Sequence, residues 1–210
     1  MHLWNASAVA ASKKLMRFIK RTLHWRHVFK YTDRPLALTL CTDSDFCGEP
    51  EGDNKAMRSM VSYAIFIEGS GCLMFTSHLG KTISRSTMDA EYVAQSEGAA
   101  ALMGFHNAFF ELGLTICLPS SSFTDNNATR RAIQSLMCSS KLRNIKLAHH
   151  YARECIERRK MVVGRIDTDL NPADIGTKAL DKGGHRKHGQ FVLWLDDPEG
   201  DYYRALGWRK

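Results

Sequence analysis

Four acids stand where a strand closes or a helix opens, the positions from which carboxylates of distant segments can meet. Asp43 ends the alternating run Leu36-Ala37-Leu38-Thr39-Leu40-Cys41-Thr42, Asp125 follows Ser121-Ser122-Phe123-Thr124, and Asp174 comes two residues after Pro172. Glu91 lies three residues before Ala94, at the head of a stripe formed by Ala94, Gly98, Ala101, Phe105, Ala108 and Leu112. A carboxylate on a core-facing stripe is unstable unless paired, protonated or bound to a cation. Taken singly, each acid has an ordinary structural use, Asp125 as a helix cap and Asp174 at a helix start. Taken together, converging carboxylates repel, and such a group persists mainly around divalent cations; an all-oxygen set suits Mg²⁺.

The elements that must position these acids can be read in order. Strands are expected at 36–43, 61–67 and 72–76, the last two joined by the turn Glu68-Gly69-Ser70-Gly71, giving an antiparallel meander. A long helix capped by Ser86 or Thr87 runs to Leu112, with Gly113 ending it. There follow a strand at 116–124, helices at 127–137 and 142–159, a strand at 161–166 and a last helix after Pro172. Residues 48–54 read as a polar loop. The order βββαβααβα is most simply a mixed sheet with helices on both faces. A basic amphipathic helix over residues 8–24 precedes it, broken by Asp33-Arg34-Pro35.

At 210 residues, with 44% hydrophobic and 24% charged residues, the chain has the composition of one folded domain, not a disordered or low-complexity segment. No apolar run reaches the roughly 18 residues of a membrane span. The six cysteines are scattered singly without a C-x-x-C pair, so neither a zinc ribbon nor a disulfide framework is expected, and reduced, intracellular thiols are. The net charge of +7 resides entirely in residues 1–32, which hold seven bases and no acid. Such a block can meet a phosphate backbone, an anionic membrane surface or an import receptor.

The acids lie in segments with a familiar look. Thr42-Asp43-Ser44-Asp45-Phe46-Cys47-Gly48, Ser86-Thr87-Met88-Asp89-Ala90-Glu91-Tyr92-Val93-Ala94, Thr124-Asp125-Asn126, His150-Tyr151-Ala152-Arg153-Glu154 and Asn171-Pro172-Ala173-Asp174-Ile175-Gly176-Thr177-Lys178 resemble, in order, motifs of the ribonuclease H domain of copia-type LTR retrotransposon polyproteins. The spacings of 48, 34 and 49 residues between the four acids fit as well. Residues 2–20 resemble the end of the reverse transcriptase that precedes this domain. The sequence departs from the family at Phe46-Cys47 (for Trp-Ala), at Gly176 (for an aromatic), at Asn144 and Lys146, and at Met74 to His78.

The resemblance implies a ribonuclease H-like α/β fold: a five-stranded mixed sheet, meander plus parallel strands, flanked by helices. It divides the chain into a reverse-transcriptase-like helix (1–34), the ribonuclease H-like domain (35–180) and a basic, aromatic extension (181–210). It implies an endonuclease that cuts the RNA strand of RNA/DNA hybrids, with Asp43, Glu91, Asp125 and Asp174 holding two Mg²⁺ ions, replaceable by Mn²⁺, about 4 Å apart. Asp45 shares the strand face of Asp43 and competes for the first ligand position; Asp43 is favoured. Lys13, Lys14, Arg17, Lys20, Arg21, Asn126, Lys178, Arg186 and Lys187 are the candidates for contact with nucleic acid. The implied partners are the hybrid and the reverse transcriptase of the same polyprotein, with no membrane, in the cytoplasm (in virus-like particles) or the nucleus.

Rival readings can be weighed on residues. A transposase or integrase would carry its motif glutamate last, whereas here it is second. A catalytically silent remnant that binds nucleic acid or packs on a reverse transcriptase is the alternative outside enzymology. His149 and His150 point about 100° apart on a helix, which opposes a shared metal. His185 or His188 could assist the last acid only if their segment folds back. The stretch 182–188 reads as a solvated loop, and Trp194, Tyr202, Tyr203 and Trp208 as packing for a final helix.

Overall fold

The computed structural model describes residues 5–46, 58–81, 83–135, 147–194, 196–197 and 200–208. The polar loop expected at 48–54, residues 136–137 and 142–146 of the helices expected at 127–137 and 142–159, and with them Asn144 and Lys146, lie outside the described residues. Strands β1 (Leu38–Asp45), β2 (Met60–Ile67) and β3 (Gly71–Leu79) form the antiparallel meander, while β4 (Ser120–Thr124) and β5 (Met161–Arg165) are parallel additions on the other side. The order β3-β2-β1-β4-β5 puts β1 in the middle, as expected of a ribonuclease H-like mixed sheet.

Period-two alternation in β1 feeds two cores. Leu38 and Leu40 join the core beneath helix α2 (Thr87–Glu111), with Ile65, Tyr92 and Leu102. Cys41 joins the opposite core, with Phe66, Phe191, Tyr202 and Trp208. Helix α2 crosses β1 so closely at Gly98 that a Cβ there would stand 2.9 Å from Leu40 Cδ1 and 3.0 Å from Thr42 Cγ2. Ser86 caps α2 by accepting from Asp89 N (3.1 Å), and Gly113, at φ +74°, ends it, both as expected. The apolar stripe does not hold to the end: Leu112 is exposed, because the last turns run past the sheet that the first turns cover.

Helices α3 (Asn127–Gln134) and α4 (Tyr151–Glu157) lie between β4 and β5; α4 is shorter than the expected helix and follows a 3₁₀ turn, Leu147–His150. The strand expected from Ile116 begins only at Ser120, after Pro119, which cannot donate to the ladder. Two further expectations fail. Pro172–Gly176 is a 3₁₀ turn, not a helix, and the stretch 182–188, read as a loop, opens helix α5 (Lys182–Trp194). Its register explains the second case: His188, Gly189, Phe191 and Val192 form a buried face that Arg186 and Lys187 do not share. Helix α6 (Asp201–Ala205) follows, and Tyr202 and Trp208 pack as the sequence suggested. Helix α1 (Ala6–Thr22), capped by Asn5, has no buried residue.

Candidate metal centre

β1 and β4 pair in parallel only over Thr39–Cys41 and Ser121–Phe123, so their following residues diverge and open a gap at the carboxyl ends of the two strands. Clefts of this kind are where open α/β sheets bind ligands. Asp43 lies there on β1, and Asp125 just past β4. Asn126, not Asp125, caps α3, accepting from Thr129 N at 3.0 Å, which leaves the Asp125 carboxylate free of that role. Asp174 arrives on the 3₁₀ turn, which is anchored to β1: fully buried Asn171 donates from Nδ2 to the Thr42 carbonyl (2.9 Å) and accepts from Ala173 N (3.2 Å).

The result is a three-carboxylate group. One ligand oxygen each from Asp43, Asp125 and Asp174 falls within 4.8 Å of the others. Asp45, two residues further along β1 and half-buried, is not in it. Asp43 and Asp174 are buried and Asp125 is half-buried. Thr177 Oγ1 donates to Asp43 Oδ2, and Thr168 Oγ1 to Asp125 Oδ2 at 2.8 Å. Asp174 Oδ1 is buried and has no hydrogen-bond partner. An orphaned carboxylate oxygen beside two further acids is the donor set that a hard cation fills.

Glu91 is buried next to this group without joining it. It comes from α2, on the face of β1 opposite Asp43, and its oxygens accept from Ser44 N (3.2 Å) and Thr124 Oγ1 (3.5 Å). One turn further along α2, buried Gln95 accepts from Thr42 Oγ1 (2.8 Å) and donates to Ser122 Oγ, which fixes Glu91 against β1 and β4. Sequence reasoning named Glu91 but missed Gln95, Thr168, Asn171 and Thr177, whose signal was only their nearness to the acids.

Lys178, a candidate for nucleic-acid contact, turns inward. Its Nζ lies 2.7 Å from Asp174 Oδ2 and 3.5 Å from Asp43. Burial opposes its charge, yet Asp43 and Asp174 outweigh that and raise its pKa. The carboxylates bear the opposite strain. Burial raises the pKa of Glu91 well above the usual value, helped by Asp43 and Asp125; burial and Asp43 push Asp174 up to about 7; burial also raises Asp43. The family's aromatic at Gly176 has no room here. A Cβ at 176 would meet Ser62 Cβ at 2.8 Å and Phe75 Cζ at 3.0 Å, because side chains of β2 and β3 close on the backbone there.

The remaining candidates lie away from the acids. Lys13, Lys14, Arg17, Lys20 and Arg21 are exposed on α1; Arg186 and Lys187 are exposed on α5, with Lys187 Nζ 5.4 Å from the Tyr202 ring centroid. His188 is buried with its Nδ1 2.7 Å from Tyr202 Oη, and burial lowers its pKa to about 4.

No family model matches the sequence. Curated relatives do. Over 139 residues, 66% of this chain, it is 28% identical to the retrovirus-related Pol polyprotein of transposon TNT 1-94 from Nicotiana tabacum. Over 182 residues, 87% of this chain, it is 22% identical to that of transposon RE1 from Arabidopsis thaliana. The chain is a homologue of these plant-transposon Pol polyproteins. It spans about a tenth of their length, covering 10% of the first and 12% of the second. Among solved structures it is similar to LC11-RNase H1 in complex with an RNA/DNA hybrid (TM-score 0.49, 16% identity, 67% of this chain and 93% of that one). It is also similar to the foamy viral protease-reverse transcriptase in complex with an RNA/DNA hybrid (TM-score 0.46, 13% identity, 75% and 22%).

Titration of the acids should set the stability of the metal-free protein. A carboxyl whose native pKa is raised keeps its proton at a pH where the unfolded chain has lost it, so its contribution is complete below about pH 4 and is lost as the pH rises through its native value. The melting temperature should therefore fall between about pH 4 and the Asp174 value of about 7. His188 opposes this, since its depressed pKa removes stability as the pH falls from about 6.5 towards 4. Asp174→Asn should flatten the loss on rising pH and His188→Gln the loss on falling pH, measured by melting in EDTA. Parent-like pH profiles in both variants would refute the assignment.

Proposed function

We propose that this chain is a retrotransposon-type ribonuclease H that hydrolyses the RNA strand of RNA/DNA hybrids. The observation that carries the reading is the group Asp43, Asp125 and Asp174, with its orphaned buried oxygen, in segments matching the family's motifs in order and spacing. Asp43, Asp125 and Asp174, with Glu91 on the other face of β1, are the residues that would hold two divalent ions. Mg²⁺ bound there would supply an activated water and charge stabilisation for the leaving 3′ oxygen.

The chain's own groups have definable tasks. Thr177 engages one oxygen of Asp43 and Thr168 one oxygen of Asp125, while the second Asp43 oxygen faces Lys178 Nζ at 3.5 Å. Lys178 neutralises part of the acid group when no cation does. Its side chain is half-buried, so it can swing toward a substrate phosphate when a metal takes over that charge. The polyprotein context of the relatives supports a reverse transcriptase as the neighbouring partner. Among the described residues no helix is long and apolar enough to cross a membrane.

Incubated with Mg²⁺ or Mn²⁺, the protein should cut the RNA of a hybrid and leave single-stranded RNA and duplex DNA intact. Equal cleavage of all three rejects the reading, and cleavage of none supports the silent-remnant alternative. Mg²⁺ should also raise the parent's melting temperature by mass action, and much less in Asp174→Asn and Glu91→Gln. An undiminished shift in Glu91→Gln would make that glutamate a purely structural acid.

A further inference from the structure

Helices α1 and α5 enclose a groove of about 1130 Å³ that the acid centre does not use. Lys14, Arg17 and Arg21 line it from α1, and Lys182 and Arg186 from α5, against a single acid, Asp181. Between these cations lie Phe18, Trp25 and Trp194. The Phe18 ring meets Trp25 edge-on at 6.0 Å and His185 at 5.4 Å, and Trp25 meets Trp194 at 5.8 Å.

The groove is built into the fold rather than left to a loose arm. Val28 N donates to the Leu193 carbonyl (2.8 Å) and Lys30 N to the Ser70 carbonyl (2.8 Å), which pins the chain after α1 to α5 and to the β2–β3 turn. The groove also adjoins the acid centre through the chain itself, because Leu180 lines it two residues after Lys178. Cations around aromatic rings are what a single nucleic-acid strand needs: phosphates track the charges, and bases of any identity stack on the rings. An acidic protein segment would use the charges but not the faces of the rings.

We propose that the α1–α5 groove binds single-stranded nucleic acid, as an auxiliary site for a strand that runs beyond the hybrid. The binding rests on the groove alone; its auxiliary role rests on the ribonuclease H reading above. The test is fluorescence anisotropy of a labelled oligothymidylate with the full chain in EDTA, where the acid centre is silent. Double charge reversal, Arg17→Glu with Arg186→Glu, should weaken binding on the order of ten-fold or more and flatten its salt dependence by about 0.7 per lost phosphate contact. Trp25→Leu should weaken oligothymidylate on the order of ten-fold while leaving inorganic polyphosphate nearly unaffected. Melting curves check that both variants fold. Parent-like affinity in the charge-reversed variant overturns the proposal, as does an oligothymidylate that binds no better than polyphosphate of equal charge. The inactive Asp43→Asn variant should bind the oligonucleotide like the parent, so failure of cleavage and failure of this site are separable.

Discussion

Asp43→Asn should lower hybrid cleavage on the order of 10³-fold or more while leaving the melting temperature unchanged or higher. The substitution keeps the shape of the side chain and one oxygen to accept from Thr177, and exchanges the charged second oxygen, which Lys178 faces, for an amide NH2. In the metal-free protein that charge is unfavourable, because burial raises the pKa of Asp43, as Asp125 does, against the opposing pull of Lys178 and Thr177. Removing it also relieves Glu91 and Asp174, both of which Asp43 pushes upward. Loss of activity with gain of stability is the signature of a group held in place for a ligand, not for the fold. Single-turnover cleavage at saturating Mg²⁺ and a melting curve in EDTA are the two measurements. A variant with the parent rate removes Asp43 from the reaction, and one that melts several degrees lower makes it a structural acid.

The acids were legible in the sequence because each breaks a local pattern. Asp43 ends an apolar alternation and Glu91 heads a small-residue stripe, and such conflicts between polarity and expected burial need no knowledge of the fold. The meander, the helix caps at Ser86 and Gly113 and the central place of β1 follow from period and turn chemistry in the same way. What could not be read was which face each acid takes. Asp43 projects from one face of β1 and Glu91 lies against the other, and the crossing of α2 over β1 at Gly98 sets how near they come. The inward turn of Lys178 was equally hidden. Its spacing of four from Asp174 suggests an i,i+4 pair on a helix, yet the pair forms across the end of a 3₁₀ turn held by Asn171. Basic residues in α5 read as a loop because Gly183 and Gly184 interrupt the pattern, and tertiary packing of Phe191 overrides that weak propensity.

Phe191→Ala should destabilise the protein by about 3–5 kcal/mol, the usual cost of truncating a fully buried aromatic. The ring lies at the centre of the second core. It stacks on Tyr202 at 4.1 Å and 10°, and meets Phe66 of β2 at 5.5 Å and Trp208 at 5.9 Å. Three of these four rings come from residues beyond 180, so this half of the sheet is covered by the segment that the sequence suggested was an extension. The loss also reaches the site, because α5 packs against the 3₁₀ turn that carries Asp174. At roughly 2–4 °C per kcal/mol for a chain of this size, the melting temperature should drop on the order of 10 °C. Phe110→Ala is the control, since that ring is 81% exposed and its loss should stay within about 0.5 kcal/mol. Urea titrations with unchanged m-values would establish the difference as one of native stability. A Phe191→Ala variant that loses less than about 1 kcal/mol would mean that residues 181–210 decorate the domain, and that β1, β2 and the turn bearing Asp174 hold the acids in place without them.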